Sequence, residues 1–447
     1  MQIQEIFLRA CHAINSLYRL GAVIATGVLA AGFARAANEQ PSPAMLAAGA
    51  ELFAREWLPD DSQGGSGDGL GPVYNETSCV ACHHQGGPGG AGPTSTNVEI
   101  LTSGTRAKGV KAHEFHPGFR TSPSVVLHRF GVDPMYKAWR LRLLGKEDLA
   151  DMVESVDTEI QQVQQLIGPV SPRSIQRIGR PLANGLVRSE RNPPALFGAG
   201  LIDALPDEAL LAGEKVRFPD FPEIRGHANR LKDGRPGRFG WKAETSSLRE
   251  FVVSACANEL GLEAPGHHQA ASPLDPDTQP KGLDLTQADC DALEAFVRQL
   301  PAPTVRKPAG PRAEQGVAEG RKLFEAAGCA TCHQARLGAI DGIYGDLLLH
   351  DMGPALSDSG SYYGVSVPSP STDGAKSQEW RTPPLWGFRD SGPYLHDGRA
   401  KNLEEAVAMH GGQATNSTRR FFKLLPDERL RVQAFLRSLV PAALASR

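Results

Sequence analysis

The chain carries the pattern Cys-x-x-Cys-His twice, as Cys79-Val80-Ala81-Cys82-His83 and Cys329-Ala330-Thr331-Cys332-His333. Two thiols three positions apart can each form a thioether to a vinyl group of one porphyrin, and the adjacent imidazole is then placed to ligate the iron. At this chain's own Cys and His frequencies roughly 0.003 such matches are expected by chance, so two matches predict two covalently attached haem c groups. One would sit on Cys79, Cys82 and His83, the other on Cys329, Cys332 and His333. A zinc site joining the two thiol pairs leaves both histidines without a purpose. A thioredoxin-type dithiol needs a βαβ pattern, and none surrounds either motif.

The motifs sit in a diverged duplication. Gly49-Ala50-Glu51-Leu52-Phe53 precedes the first and Gly320-Arg321-Lys322-Leu323-Phe324 the second, with a loop insertion containing Gly64-Gly65-Ser66-Gly67 in the first copy. Each half closes on an amphipathic helix, Thr286 to Leu300 with Ala295-Phe296-Val297-Arg298, and Pro426 to Val440 with Ala434-Phe435-Leu436-Arg437. A third echo is Arg191-Asn192-Pro193-Pro194 against Arg381-Thr382-Pro383-Pro384. The Pro-rich stretch from Leu300 to Pro311 reads as a linker, dividing a haem domain over 37–305 from a second over 306–447. The larger first half gains a helix predicted from Lys146 to Ile167 and a loop from Gly266 to Lys281.

Composition agrees with a mainly α fold of two tandem cytochrome c-like domains joined by long loops. Gly 48 and Pro 34 against 6% aromatic residues leave extended sheet poorly supplied. A net charge of -3 with no basic run gives no footprint for nucleic acid. Arg9 and Arg19, the apolar stretch Leu20 to Phe33 and Ala34-Arg35-Ala36 read as a secretory signal over residues 1–36, with a retained anchor as the alternative. Its apolar core is shorter than the ~20 residues of a span, and no later segment could cross a bilayer. Export to the periplasm, or beyond it, suits haem c, which bacteria attach outside the cytoplasm. Cys256 and Cys290 remain, an even pair that reads as a disulfide in an oxidising compartment.

Gly71-Pro72-Val73-Tyr74-Asn75-Glu76-Thr77-Ser78-Cys79, Asp346-Leu347-Leu348-Leu349-His350-Asp351-Met352-Gly353 and Tyr394-Leu395-His396-Asp397-Gly398 resemble the bacterial di-haem oxidoreductase family, labelled peroxidase and formerly thiol oxidoreductase. The chain is more distantly similar to the di-haem cytochrome c peroxidases and to the enzyme that matures the quinone cofactor of methylamine dehydrogenase. By that resemblance the second haem takes His410 as its sixth ligand, where the peroxidases commonly have Met; Met409 and His350 are the rivals. His396 is read as a local hydrogen-bonding residue. The first haem has Ala255 at the matching position, which cannot ligate, so its iron is expected to be open unless His84, His113, His116 or His128 closes it.

The resemblance also implies a carboxylate at Glu259 near bound peroxide, set against a surface Glu at a helix end, while the peroxidases' Gln position is Phe251. Trp241 falls where the peroxidases place a tryptophan between the haems; the plainer reading is a core Trp. Calcium between the domains is possible on the same ground, with no acidic loop marking its ligands. The function read from all this is a di-haem oxidoreductase: peroxide reacts at the first haem, electrons arrive through the second, and the donor is a small redox protein or similar carrier. A pure electron-transfer cytochrome and an oxidase of a partner protein's side chain are the alternatives. Thiol oxidation is the weakest, because the haems consume both Cys-x-x-Cys pairs.

Overall fold

The computed structural model describes residues 40–61, 65–103, 111–144, 180–182, 185–358 and 375–441. The expected signal over 1–36 and the helix expected over 146–167 lie outside the described residues. Ala47–Arg447 forms one compact unit, and every contact discussed below lies within it. Among the described residues no helix is long and apolar enough to cross a membrane.

Helix is the main regular structure among the described residues, in α1 (Pro43–Ala54), α2 (Tyr136–Leu144), α3 (Leu248–Glu259), α4 (Gln287–Arg298), α5 (Pro311–Ala326), α6 (Leu403–Ala408), α7 (Thr415–Lys423) and α8 (Pro426–Arg437). Local sequence explains their ends. Ser247 Oγ accepts from Glu250 N to start α3, and Thr286 with Asp289 forms a capping box on α4. Pro311 and Pro426 occupy the first turns of α5 and α8, where a missing N–H costs nothing.

The duplication is visible as packing. α1 crosses α4 where Gly49 lies on the carbonyl of Ala292, and α5 crosses α8 where Gly320 lies on the carbonyl of Arg431. One turn on from each glycine the same ring pair meets: Phe53 and Phe296 at 5.1 Å, Phe324 and Phe435 at 5.5 Å. Each pair anchors its own apolar cluster. The first gathers Phe53, Leu248, Val252, Val253, Leu293 and Val297; the second gathers Phe324, Tyr344, Leu403, Phe421, Val432 and Phe435. Cys256 and Cys290 are both buried in the first cluster as free thiols, so the expected disulfide is not formed; they pack as small hydrophobes.

Sheet is richer than composition implied. β1 (Val98–Ser103), β2 (Ser124–Leu127), β3 (Arg180–Pro181) and β4 (Leu186–Arg191) form a four-stranded antiparallel sheet in the order β2-β1-β4-β3. Its apolar side, with Leu101, Val125, Leu127 and Leu186, is covered by Phe115, Phe119 and Trp139. The overall scarcity of aromatic residues concealed local runs such as Val125-Val126-Leu127, which suit a pleated, buried surface. β5 (Thr304–Val305) lies in the Pro-rich stretch and pairs antiparallel with the chain's last strand, Leu439–Val440, so the stretch is hydrogen-bonded rather than free.

Two glycines of α5 separate crossing from propensity. A methyl group at position 320 would overlap the Arg431 carbonyl, whereas at position 316 it would meet nothing within 4 Å. Gly320→Ala is expected to cost about 1–3 kcal/mol through overpacking, and Gly316→Ala to gain up to about 1 kcal/mol from helix propensity. Denaturant unfolding of the two variants checks both signs.

Candidate haem centres

Two cavities, each centred on one Cys-x-x-Cys-His motif, occupy the interior. The C-terminal one has a volume of about 280 Å³ and is lined by Cys329, Cys332 and His333 on one side and by Ala406, Val407 and His410 on another. Gly328, in the left-handed conformation (φ 88°), ends the chain's run out of α5 and starts the short 3-10 turn that carries both thiols. His333 Nδ1 lies 3.0 Å from Tyr344 O, and His410 Nδ1 lies 2.6 Å from Ala406 O. A carbonyl only accepts, so each Nδ1 carries the proton and each Nε2 keeps its lone pair. Burial lowers the pKa of both rings, that of His333 to about 4, so both are neutral at pH 7.

The rival ligands are placed otherwise. Met409 packs behind Leu356 and Trp380, which line the cavity, and is not itself part of the lining. His350 lines the cavity, but both its nitrogens are engaged: Nε2 lies 2.9 Å from Asp346 Oδ2, and Nδ1 lies 3.1 Å from Gln413 Oε1 and 3.6 Å from Cys332 Sγ. Cys332, Asp346 and His350 form a cluster of metal-ligand type, although Cys332 is one of the thiols expected to bond haem. His396 has no hydrogen-bond partner at Nε2 among the described residues. Its ring stacks on Trp380 at 3.6 Å with 9° between the planes, and its Nε2 lies 3.6 Å from Asp358 Oδ2.

The N-terminal cavity, about 100 Å³, brings Cys79, Cys82 and His83 together with Trp241, Phe251, Ala255, Cys256 and Glu259. Ser78 caps the one-turn helix Cys79–Cys82, its Oγ accepting from Ala81 N at 3.2 Å. His83 repeats the tautomer of its counterpart, with Nδ1 3.2 Å from Gly90 O and burial lowering its pKa to about 4. Facing it there is no second imidazole or thioether among the described lining residues. His84, His113, His116 and His128 all lie off the lining; His116 and His128 are buried, the latter with Nε2 2.8 Å from Asn258 O. Burial raises the Cys256 thiol well above its ordinary range, so it presents a neutral S–H. Glu259, at the end of α3, is half-buried, and its Oε2 accepts from Asn75 Nδ2 at 2.7 Å. It lines the cavity from the last position of the helix.

One wall serves both cavities. Asn192, Pro193, Pro194, Leu196, Gly240, Trp241 and Phe251 line each of them. Trp241 Nε1 donates to Asn192 O at 2.9 Å, and Asn192 is itself held by its N–H on His396 O and by its side chain on Gly92 O and Asn97 Oδ1. Next to this wall sits a cation that local sequence did not single out. Lys242, 1% exposed, donates from Nζ to the carbonyls of Lys376, Ser377 and Glu379 at 2.7, 3.0 and 2.7 Å and lies 3.8 Å from the Trp380 ring centroid. Burial lowers its pKa to about 7. No carboxylate cluster of the kind that would hold calcium is found among the described residues. Asn192 and Arg381 were visible beforehand only as a repeated motif, with no chemistry attached.

In each cavity paired thiols and a buried, neutral imidazole line the same apolar space, a donor set that fits haem c. Residues 180–439 match a family described as "Di-haem oxidoreductase, putative peroxidase". The chain belongs to this di-haem oxidoreductase family, and membership implies haem cofactors and oxidoreductase chemistry. No curated protein sequence matches it. Among solved structures it is similar to hydrazine synthase of Kuenenia stuttgartiensis, pressurised with xenon, at 19% identity over 56% of this chain and 73% of that one, with a TM-score of 0.31. It is also similar to a MauG-like protein associated with microbial copper homeostasis, at 16% identity over 54% of this chain and 91% of that one, with a TM-score of 0.29.

The ligand assignment has a direct check in the haem-loaded protein. His410→Ala is expected to convert one low-spin haem to high spin in the EPR spectrum, and His410→Met to raise that haem's reduction potential. Met409→Ala is expected to leave the spin state unchanged.

Proposed function

We propose that this protein is an exported di-haem c-type oxidoreductase that reduces peroxide, or a similar small oxidant, at its N-terminal haem and receives electrons through its C-terminal haem. The observation that carries the reading is the difference between the cavities. One presents two neutral imidazoles, His333 and His410, each with Nε2 free, and the other presents His83 alone. Cys79, Cys82 and His83 would hold the first haem, and Cys329, Cys332, His333 and His410 the second, in two tandem cytochrome c-like halves. Two strong axial ligands favour electron transfer; a single one leaves a side for a ligand to approach. When bound, the haem on His83 supplies the iron chemistry that reduces an O–O bond.

The chain's own residues supply the rest. Glu259, steadied by Asn75 Nδ2, is placed to take a proton from one oxygen of a small ligand in the cavity and return it to the other. Phe251, Val252 and Ala255 restrict the space above His83 to something small and keep it apolar. Trp241 is the side chain best placed to pass electrons, since its indole belongs to the wall of both cavities. Its N–H donates to the carbonyl of Asn192, which can accept a hydrogen bond but cannot take up the proton at neutral pH. An electron leaving the ring therefore need not be accompanied by loss of that proton, which keeps the step reversible. The donor would be a small redox protein docking on the C-terminal half.

Purified protein is expected to contain two haems per chain, one high-spin and one low-spin, with the high-spin signal changing on addition of peroxide. Two low-spin haems inert to peroxide in every redox state would instead define an electron carrier. Peroxide turnover that requires a partner protein's side chain would define an oxidase of that partner. Glu259→Gln is expected to slow peroxide turnover by about 10²-fold with haem spectra intact, the scale of a lost acid–base group. In Trp241→Phe, stopped-flow spectra should show peroxide still consumed at the first haem, with oxidation of the second slowed at least about tenfold. An unchanged rate would remove Trp241 from the route.

A further inference from the structure

Arg381 is a buried cation with no ion-pair partner within 4 Å among the described residues. It ends β7 (Glu379–Arg381), the strand paired with β6 (Leu349–Asp351), and is only 7% exposed. Its Nε donates to Gly240 O at 2.7 Å, and its backbone N–H donates to Trp241 O at 3.0 Å. Nη1, by contrast, is buried without a hydrogen-bond partner. Among the described residues no carboxylate lies within 4 Å of the guanidinium, and burial lowers its pKa to about 10, with the field of Glu244 the only opposing influence. The side chain lines the C-terminal cavity together with Cys329, Cys332, His333 and His410.

The duplication sharpens the contrast. Arg191 stands at the same place in Arg191-Asn192-Pro193-Pro194 as Arg381 in Arg381-Thr382-Pro383-Pro384, and it lines the N-terminal cavity. Arg191 has an internal partner, its Nη1 lying 2.5 Å from Asp358 Oδ2 with both side chains buried. A guanidinium withdrawn from water is stable only when paired, and its planar fork suits a carboxylate. Haem c carries two such carboxylates at its edge. The group that fits this cavity therefore brings the charge that Arg381 lacks.

We infer that Arg381 is the haem-propionate ligand of the C-terminal centre, and that through its bonds to Gly240 and Trp241 it ties the edge of that haem to the wall shared with the N-terminal cavity. The inference rests on the two-haem reading above and adds a positioning residue that neither Cys-x-x-Cys-His motif contains. It also assigns different roles to the two copies of the repeat, an internal ion pair in the first and a cofactor contact in the second.

The test uses haem-loaded protein with Arg381→Met and Arg381→Lys, read by resonance Raman in the propionate bending region and by spectroelectrochemical titration of both haems. In Arg381→Met the propionate band of the C-terminal haem is expected to shift. The midpoint potential of that haem should fall, because removing a nearby positive charge favours the oxidised iron, while the N-terminal haem keeps its own potential. Arg381→Lys should recover part of both changes, since an ammonium keeps the charge but not the fork. A propionate band unmoved in both variants would overturn the inference, whatever the potential does. If the Met variant does not accumulate, the Lys variant alone decides, because loss of the fork must still move the band. Haem content separates this from the broader reading: fewer than two haems per wild-type chain would defeat the two-haem proposal, whereas two haems with an unmoved band would defeat only the role of Arg381.

Discussion

A histidine can bind iron only through a ring nitrogen that has no proton, and in this protein the choice of nitrogen is made by backbone carbonyls. Gly90 holds the proton of His83 on Nδ1, Tyr344 that of His333 and Ala406 that of His410. Each carbonyl is delivered by a different local device: a glycine-rich turn, a loop packed on Phe324, and the helix that ends just before His410. Burial adds the second condition by disfavouring the charged imidazolium. The centres are thus prepared by hydrogen bonds and desolvation, with the helix crossings of the two halves acting as the frame that holds those carbonyls in place.

The frame was legible in the sequence because it is built from short-range repeats. Gly49 with Phe53 and Gly320 with Phe324 occupy one helix turn each, and their partners Phe296 and Phe435 sit in matching closing helices. Ala255 and Glu259, singled out by the family resemblance, both line the N-terminal cavity from one helix, α3. Less legible was anything whose meaning arises from distant parts of the chain. Lys242 resembles an ordinary surface lysine until three carbonyls from beyond residue 375 close around it. Asn192 joins Gly92, Asn97, Trp241 and His396, none of them near it in sequence. The sheet was missed for another reason, since average composition says little about where a few β-branched residues fall together. His396, expected from the sequence to hydrogen-bond locally, stacks its ring on the indole of Trp380, distant in the chain, which that expectation did not anticipate.

The two copies of the repeat have drifted in a consistent direction. Around the first motif the chain has inserted loops and a sheet, and the cavity is the smaller of the two; around the second it has kept a compact set of helices and a larger cavity with two imidazoles. Duplicated scaffolds can specialise in this way because the helix crossing that supports each cavity depends on a few small and aromatic residues. The lining is free to change while the crossing persists. Between the copies the wall of Asn192 and Trp241 has had to satisfy both cavities at once, which accounts for its dense hydrogen bonding.

The cation beside Trp380 has one more implication. Three indoles border the C-terminal cavity, Trp241, Trp380 and Trp386, and of these Trp380 has Lys242 Nζ 3.8 Å and the Arg191 guanidinium 4.9 Å from its ring centroid. A positive charge above an aromatic face is attracted to its electrons and makes their removal more costly. The same two cations that knit the interior together thereby make Trp380 harder to oxidise than an indole with no cation above its face.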